Sequence, residues 1–273
     1  MQPIRFVFQQ TYFRNALQHL IDQQGWIKAF LYNTAVPTCG PIPFAPASAL
    51  VNTKSISFNP CSFSPSTASQ LLSSHGWKVV ANGTTTCQNP SLCGTGISKG
   101  EGISFNIDYE SGVVGVQDEM QDFASQAKKI GISINLSTHP FSTVIATGAP
   151  CPPSKPACKW TAENWGAGWI YGPSYLPTGE PLYNPGSAAN AGSYQDTQMT
   201  NLISKTITGP LASENSALAS YANYASQQDP VIFGPTSVGT FYGNAGTLVD
   251  KKLAGYAANA LGWLQPQYWY FTK

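Results

Sequence analysis

An α/β fold, with helices laid on a mixed or parallel sheet, follows from three consecutive stretches between Ile103 and Leu136. Ile103, Phe105, Ile107 and Tyr109 alternate with polar residues, so they share one face of a strand. Ser111-Gly112 breaks that strand. From Val113 the apolar residues Val116, Met120, Phe123, Ala127 and Ile130 recur every three or four positions, which puts them on one stripe of a helix. Asp118, Glu119 and Asp122 lie towards its start and Lys128 and Lys129 in its last turn, the order that the helix dipole favours. Gly131 suits a left-handed cap, and Ile132 to Leu136 resumes alternation. A helix between two strands of one sheet is a crossover connection, which predicts a βαβ unit with parallel strands.

The remaining elements are read in chain order. Ile4 to Phe8 is β-prone, and Tyr12 to Phe30 has the apolar spacing of one helix, with Arg14 and Asp22 expected as surface or capping charges. Prolines punctuate 37–60, which excludes helix interior and central strand there. Ser64 before Pro65 predicts a capped helix that buries Ala68, Leu71 and Leu72 and stops at Gly76, and Trp77 to Val80 is expected to be extended. Phe141 to Ile145 suits a short helix. Helices are also expected over 195–207 and 213–227, and Val231 to Phe233 is expected to be a short buried strand. No internal repeat or flexible linker divides the chain, so it is taken as one lobe.

At 273 residues the chain can bury a substantial core. Only 10% of its residues are charged and the formal net charge is +1, with no basic run, which disfavours nucleic-acid binding. No apolar run is long enough to span a bilayer. Met1-Gln-Pro-Ile4 carries no signal peptide, so an export signal or lipid anchor is expected outside this stretch. Six cysteines allow fifteen connectivities, and short polar loops favour the local pairs Cys39 with Cys61, Cys87 with Cys93 and Cys151 with Cys158. Such bridges imply an oxidising compartment. Free thiols or a metal site are the other reading, but no spacing of Cys or His suits zinc.

A search for reactive groupings finds little. The chain has no nucleophile elbow, phosphate loop, dinucleotide fingerprint or zinc-protease motif, and Gly94-Thr-Gly96 precedes a strand rather than a helix. Asp108 and Glu110 fall on the same polar side of their strand. That side is read as solvent-facing, the alternative being an acid and base pair. His139 lies just past a strand end, where functional residues of α/β sheets gather, but has no carboxylate near it in sequence. The strongest candidates for binding are Trp165, Trp169, Tyr171 and Tyr175, interleaved with glycines that would hold them around a cleft. Core packing under the loop is the competing reading.

With those residues identified, the chain resembles the C-terminal lobe of the dipeptide, oligopeptide and nickel class of extracellular solute-binding proteins (family 5), the capture subunits of ABC importers. The resembling segments are Tyr12 to Asp22, Gly40-Pro-Ile-Pro43 after Pro37, Ser64 to Trp77, Lys128 to Ile132, Gly168-Trp169, Tyr194 to Ile203 and Leu253-Ala-Gly-Tyr256, in the family's order over nearly the full chain. The resemblance implies one lobe of a periplasmic-binding-protein-like fold (type II, cluster C), covering 1–273, with 253–273 as a tail returning to an N-terminal lobe that this stretch lacks.

It also implies a monomeric binder without cofactor or catalysis. Such a protein would be tethered outside the cell by lipid and would deliver a peptide or other small solute to ABC permease subunits. Peptide-binding members place an Asp after Gly-Trp, where this chain has Ile170-Tyr171-Gly172-Pro173, so an oligosaccharide is as compatible as a peptide. A secreted carbohydrate-active enzyme and an adhesive surface domain are the alternatives outside the family.

Overall fold

The computed structural model describes residues 4–42, 44, 50–113, 115–148, 160–166, 177–208, 214–237, 253–254 and 266–272. Its first helix, α1 (Ile4–Phe8), occupies the run expected to be a strand. Ile4 and Val7 fall on its buried side, and Phe8 meets Phe13 and Phe105 edge-on at centroid distances of 5.3 and 5.0 Å. Burial on a helical face overrides the β preference of these residues.

The single helix expected over 12–30 is two, α2 (Thr11–Gln18) and α3 (Gln23–Ala29). Asp22 divides them by accepting the amide of Gly25 at 2.9 Å as the N-cap of α3. The two-residue strand β1 (Ala35–Val36) follows, and then α4 (Pro65–Ser74), capped by Ser64 Oγ as expected. The ribbon β2 (Trp77–Lys78) and β3 (Thr86–Cys87) leads through the short α5 (Pro90–Cys93) into the βαβ unit.

That unit is β4 (Ser104–Glu110), α6 (Val116–Lys129) and β5 (Ser133–His139), followed by α7 (Phe141–Thr147) and β6 (Ala162–Asn164). The three strands form a parallel sheet in the order β5-β4-β6, with Glu110 opposite His139 and Asp108 opposite both Ser137 and Glu163. Antiparallel ribbons elsewhere complete the α/β architecture. Phe105, Ile107 and Tyr109 are buried on one face of β4, in the same core as Phe13, Leu17, Met120, Phe123 and Ala127. Asn106, Asp108 and Glu110 alternate onto the other. Gly131 turns the chain from α6 into β5 with φ +75°, and a Cβ there would collide with Val80 and Thr85. Thr85 fixes the approach by donating to the carbonyls of Gly131 (2.9 Å, from its amide) and Ile130 (2.6 Å, from its hydroxyl).

A second core lies under α8 (Glu180–Tyr183), α9 (Thr197–Thr208) and α10 (Glu214–Gln228), built from Ile42, Tyr183, Met199, Ile203, Leu218 and Tyr221. Arg14 joins the two cores. It is not the surface charge that its sequence suggested: it donates to the carbonyls of Phe8 (2.7 Å), Gln228 and Asp229 (3.0 Å each), pinning α2 to the end of α10.

Val231 to Phe233 is not a strand. The main chain of Phe233 is instead held at both its N–H (2.6 Å) and its carbonyl (2.9 Å) by the buried amide of Gln18, as Gln23 holds Thr38. Two glutamines stand where a neighbouring strand would. The strand β7 (Thr236–Ser237) then pairs with β1, and β8 (Leu253–Ala254) pairs with β9 (Tyr270–Phe271). Disulfides join Cys39 to Cys61 and Cys87 to Cys93, with Cα separations of 5.5 and 6.2 Å. Cys151 and Cys158 lie outside the described residues.

Candidate functional site

The carboxyl ends of parallel strands are where an open α/β sheet offers a crevice, because side chains from neighbouring strands converge there as the connections diverge. In this chain that edge is polar and acidic. Asp108 and Glu163 are register partners on adjacent strands, so their side chains leave the sheet on one face. Glu110 and His139 are partners one pleat further on. His139 Nε2 lies 3.5 Å from Asp108 Oδ1, which supplies the carboxylate missing near it in sequence. Both groups are part-exposed.

Glu163 anchors the other side of this edge. Its carboxylate accepts the Trp165 indole N–H at 2.9 Å and the Thr147 hydroxyl at 3.1 Å, tying β6 to the end of α7. Burial pushes its carboxyl above the usual range; the indole and hydroxyl bonds act downward, and the nearby Asp108 charge adds to the rise. Gly166, at φ +75°, brings the backbone close under Glu110, and a Cβ there would collide with that carboxylate. The arrangement therefore gathers three carboxylates, one imidazole and one half-buried indole on a single face. It can hold a cationic or hydrogen-bond-donating guest. No acid and base pair with a nucleophile is assembled among the described residues, and none of their His, Cys, Asp and Glu groupings suits a metal ion.

Of the four aromatic candidates, Trp165 stands in this site as a donor to Glu163, and Trp169, Tyr171 and Tyr175 lie outside the described residues. Sequence reasoning placed Asp108, Glu110 and His139 near a strand end but passed over Glu163. Its signal was there in the period-two spacing to Trp165. Phe141 and Ile145, one turn apart on α7, are exposed beside this edge. A cavity of about 320 Å³ lies elsewhere, in the 185–195 loop. Its Asn190 is committed to structure, since the side-chain amide bonds the backbone of Tyr194 at both ends (2.8 Å each).

Comparison with known proteins adds the family. The model of the bacterial extracellular solute-binding proteins, family 5 (Middle), matches residues 2–191. No curated protein matches the chain. Among solved structures, the oligopeptide-binding protein AppA of Bacillus subtilis, in complex with a nonapeptide, is similar with TM-score 0.71 at 17% identity, over 98% of this chain and 48% of that one. A nickel ABC transporter protein of Bacillus halodurans is similar with TM-score 0.67 at 18% identity, over 94% and 48%. The oligopeptide-binding protein of Thermus thermophilus, complexed with a pentapeptide, gives TM-score 0.65 at 18% identity, over 96% and 43%. At these identities the likeness is one of fold. The chain spans about half the length of the structures it resembles.

Proposed function

This chain belongs to the bacterial extracellular solute-binding proteins, family 5, and on that premise we propose that it captures a small cationic solute, such as a peptide with a free amino terminus, outside the cell. It passes the solute to the permease of an ABC importer and performs no covalent chemistry. The observation that carries this reading is the acidic edge of the parallel sheet, where Asp108, Glu110 and Glu163 converge with the His139 imidazole beside them. A carboxylate in a part-desolvated cleft holds an ammonium group through charge-assisted hydrogen bonds, and an indole beside it covers apolar surface.

The chain acts as the C-terminal lobe of a two-lobed protein, one wall of a cleft whose other wall lies in the half that its relatives possess. In this proposal Trp169, Tyr171 and Tyr175 also bind the guest, and tail residues 253–273 return to the other lobe. The protein works as a monomer held at the outer face of the membrane by a lipid anchor.

Calorimetry against free-amine peptides, their N-acetylated counterparts and neutral oligosaccharides tests the proposal, run on this chain and on a chain extended to the relatives' length. Free-amine peptides are expected to bind the longer chain, with acetylation and the pair Asp108→Asn with Glu163→Gln each weakening binding about tenfold or more. Equal affinity for acetylated and free peptides, or preference for the oligosaccharides, overturns the cationic reading. Equally tight binding by the short chain overturns the half-cleft.

A further inference from the structure

The described carboxylates of this fold make no ion pair with Lys or Arg. Among the described residues no Lys or Arg nitrogen lies within 4.0 Å of a carboxylate oxygen, and Asp108 with His139 is the one ion pair. Neutral donors take the place of cations. Asp122 accepts from the Trp26 indole (2.7 Å) and the Gln126 amide, Asp196 from the Tyr224 hydroxyl and the Met199 amide, and Glu163 from Trp165 and Thr147. Asp22 and Glu101 accept backbone amides. Hydrogen bonds from such donors favour the ionised carboxylate, as a cation would.

One buried carboxyl goes further. Asp229 is fully buried at the end of α10, with φ +43°, and neither of its oxygens has a hydrogen-bond partner. Arg14 is the charged group facing it, from α2, but the guanidinium donates to main-chain carbonyls and to Thr11, not to the carboxylate. Tyr194 and Asp196, in the segment before α9, and Tyr224 of α10 are the titratable groups around that guanidinium and Asp196. A bare anion in such a place is far costlier than a neutral acid.

We propose that Asp229 holds a proton in the native state, so that lowering the pH from neutrality stabilises the fold through this one group. Burial raises the Asp229 carboxyl from 3.8 to about 8 despite the nearby Arg14. A folded-state value above the unfolded one means that the native chain binds the extra proton between those limits. Stability is then greatest near the lower limit and is lost as pH rises towards 8. With only thirteen Asp and Glu and three His in 273 residues, the positive charge gained in acid is also small for the chain's size.

Denaturant unfolding of the disulfide-intact chain from pH 4 to 8, with Asp229→Asn alongside, tests this. The unfolding constant of the wild type is expected to rise with pH more steeply than that of Asp229→Asn, by up to tenfold per unit. Equal slopes for the two, or a wild type that loses stability between pH 7 and 5, overturn the proposal. Should the variant not fold, the carboxyl ¹³C signal of Asp229 in the wild type decides. A midpoint above pH 6 supports the proposal, and one near 4 overturns it.

Discussion

Two polar clusters in this chain use similar side chains to opposite ends. At the sheet edge, Asp108, Glu110, His139 and Glu163 are part-exposed and bonded mostly to one another's neighbours, with one face open. Between the two cores, Asp229 is fully buried beside the half-buried Arg14, whose guanidinium donates to three main-chain carbonyls and to Thr11 Oγ1. The difference is one of access to solvent. A site for a guest keeps acceptors available to solvent, while a structural cluster exhausts its donors on the backbone.

Removing the half-buried cation should have the largest effect. Arg14→Ala strips a charged donor from the carbonyls of Phe8, Gln228 and Asp229 at the junction of the two cores. The expected loss is about 3 kcal/mol or more in urea unfolding. A loss under about 1 kcal/mol would mean that the interior cluster is as dispensable as a surface one. Gln18→Ala comes next, because the N–H and carbonyl of Phe233 both lose their buried partner. About 2 kcal/mol is expected, read by the same measurement.

The sheet edge should respond the other way. Asp108→Asn combined with Glu163→Gln is expected to change stability by no more than about 0.5 kcal/mol, as for part-exposed groups whose partners persist. Binding of a cationic peptide by the full-length protein should fall about tenfold, a cost of about 1.4 kcal/mol. Equal losses in folding and binding would erase the distinction between the two clusters. Ser64→Ala, which removes the cap of α4, is a calibration for both at about 1 kcal/mol in the same unfolding measurement.

The contrast also marks what the sequence made legible. The βαβ unit was readable because its signals are local: alternation in β4 and β5, the apolar stripe of α6, the glycine at 131. Ser64 was readable as a capping residue for the same reason, whereas Asp22 was expected as a surface or capping charge within one long helix that it in fact divides. What eluded the sequence depends on partners far along the chain. Gln18 finds Phe233 at a separation of 215 residues, and Arg14 finds Gln228 at 214. No periodicity encodes either. The helical state of 4–8 was hidden similarly, since its β-prone residues are packed by Phe13 and Phe105, and one of those lies about a hundred residues away. In the site, Asp108 and Glu110 were placed on one face correctly, but the partner of His139 and the role of Glu163 emerge only when three separate strands are set in register.

The smallest change sharpens the comparison most finely. Trp165→Phe keeps an aromatic ring at the sheet edge and removes only the indole N–H that donates to Glu163. Because that bond favours the ionised carboxylate, its loss should move the Glu163 carboxyl further upward from a range already raised by burial. The Thr147 hydroxyl remains to hold the other oxygen, so stability should change by less than about 0.5 kcal/mol. Carboxyl ¹³C titration of wild type and variant is the direct measurement. A midpoint that stays where it was would show Glu163 to be governed by burial alone, and the indole to be free to stack on a guest instead of being occupied as a donor.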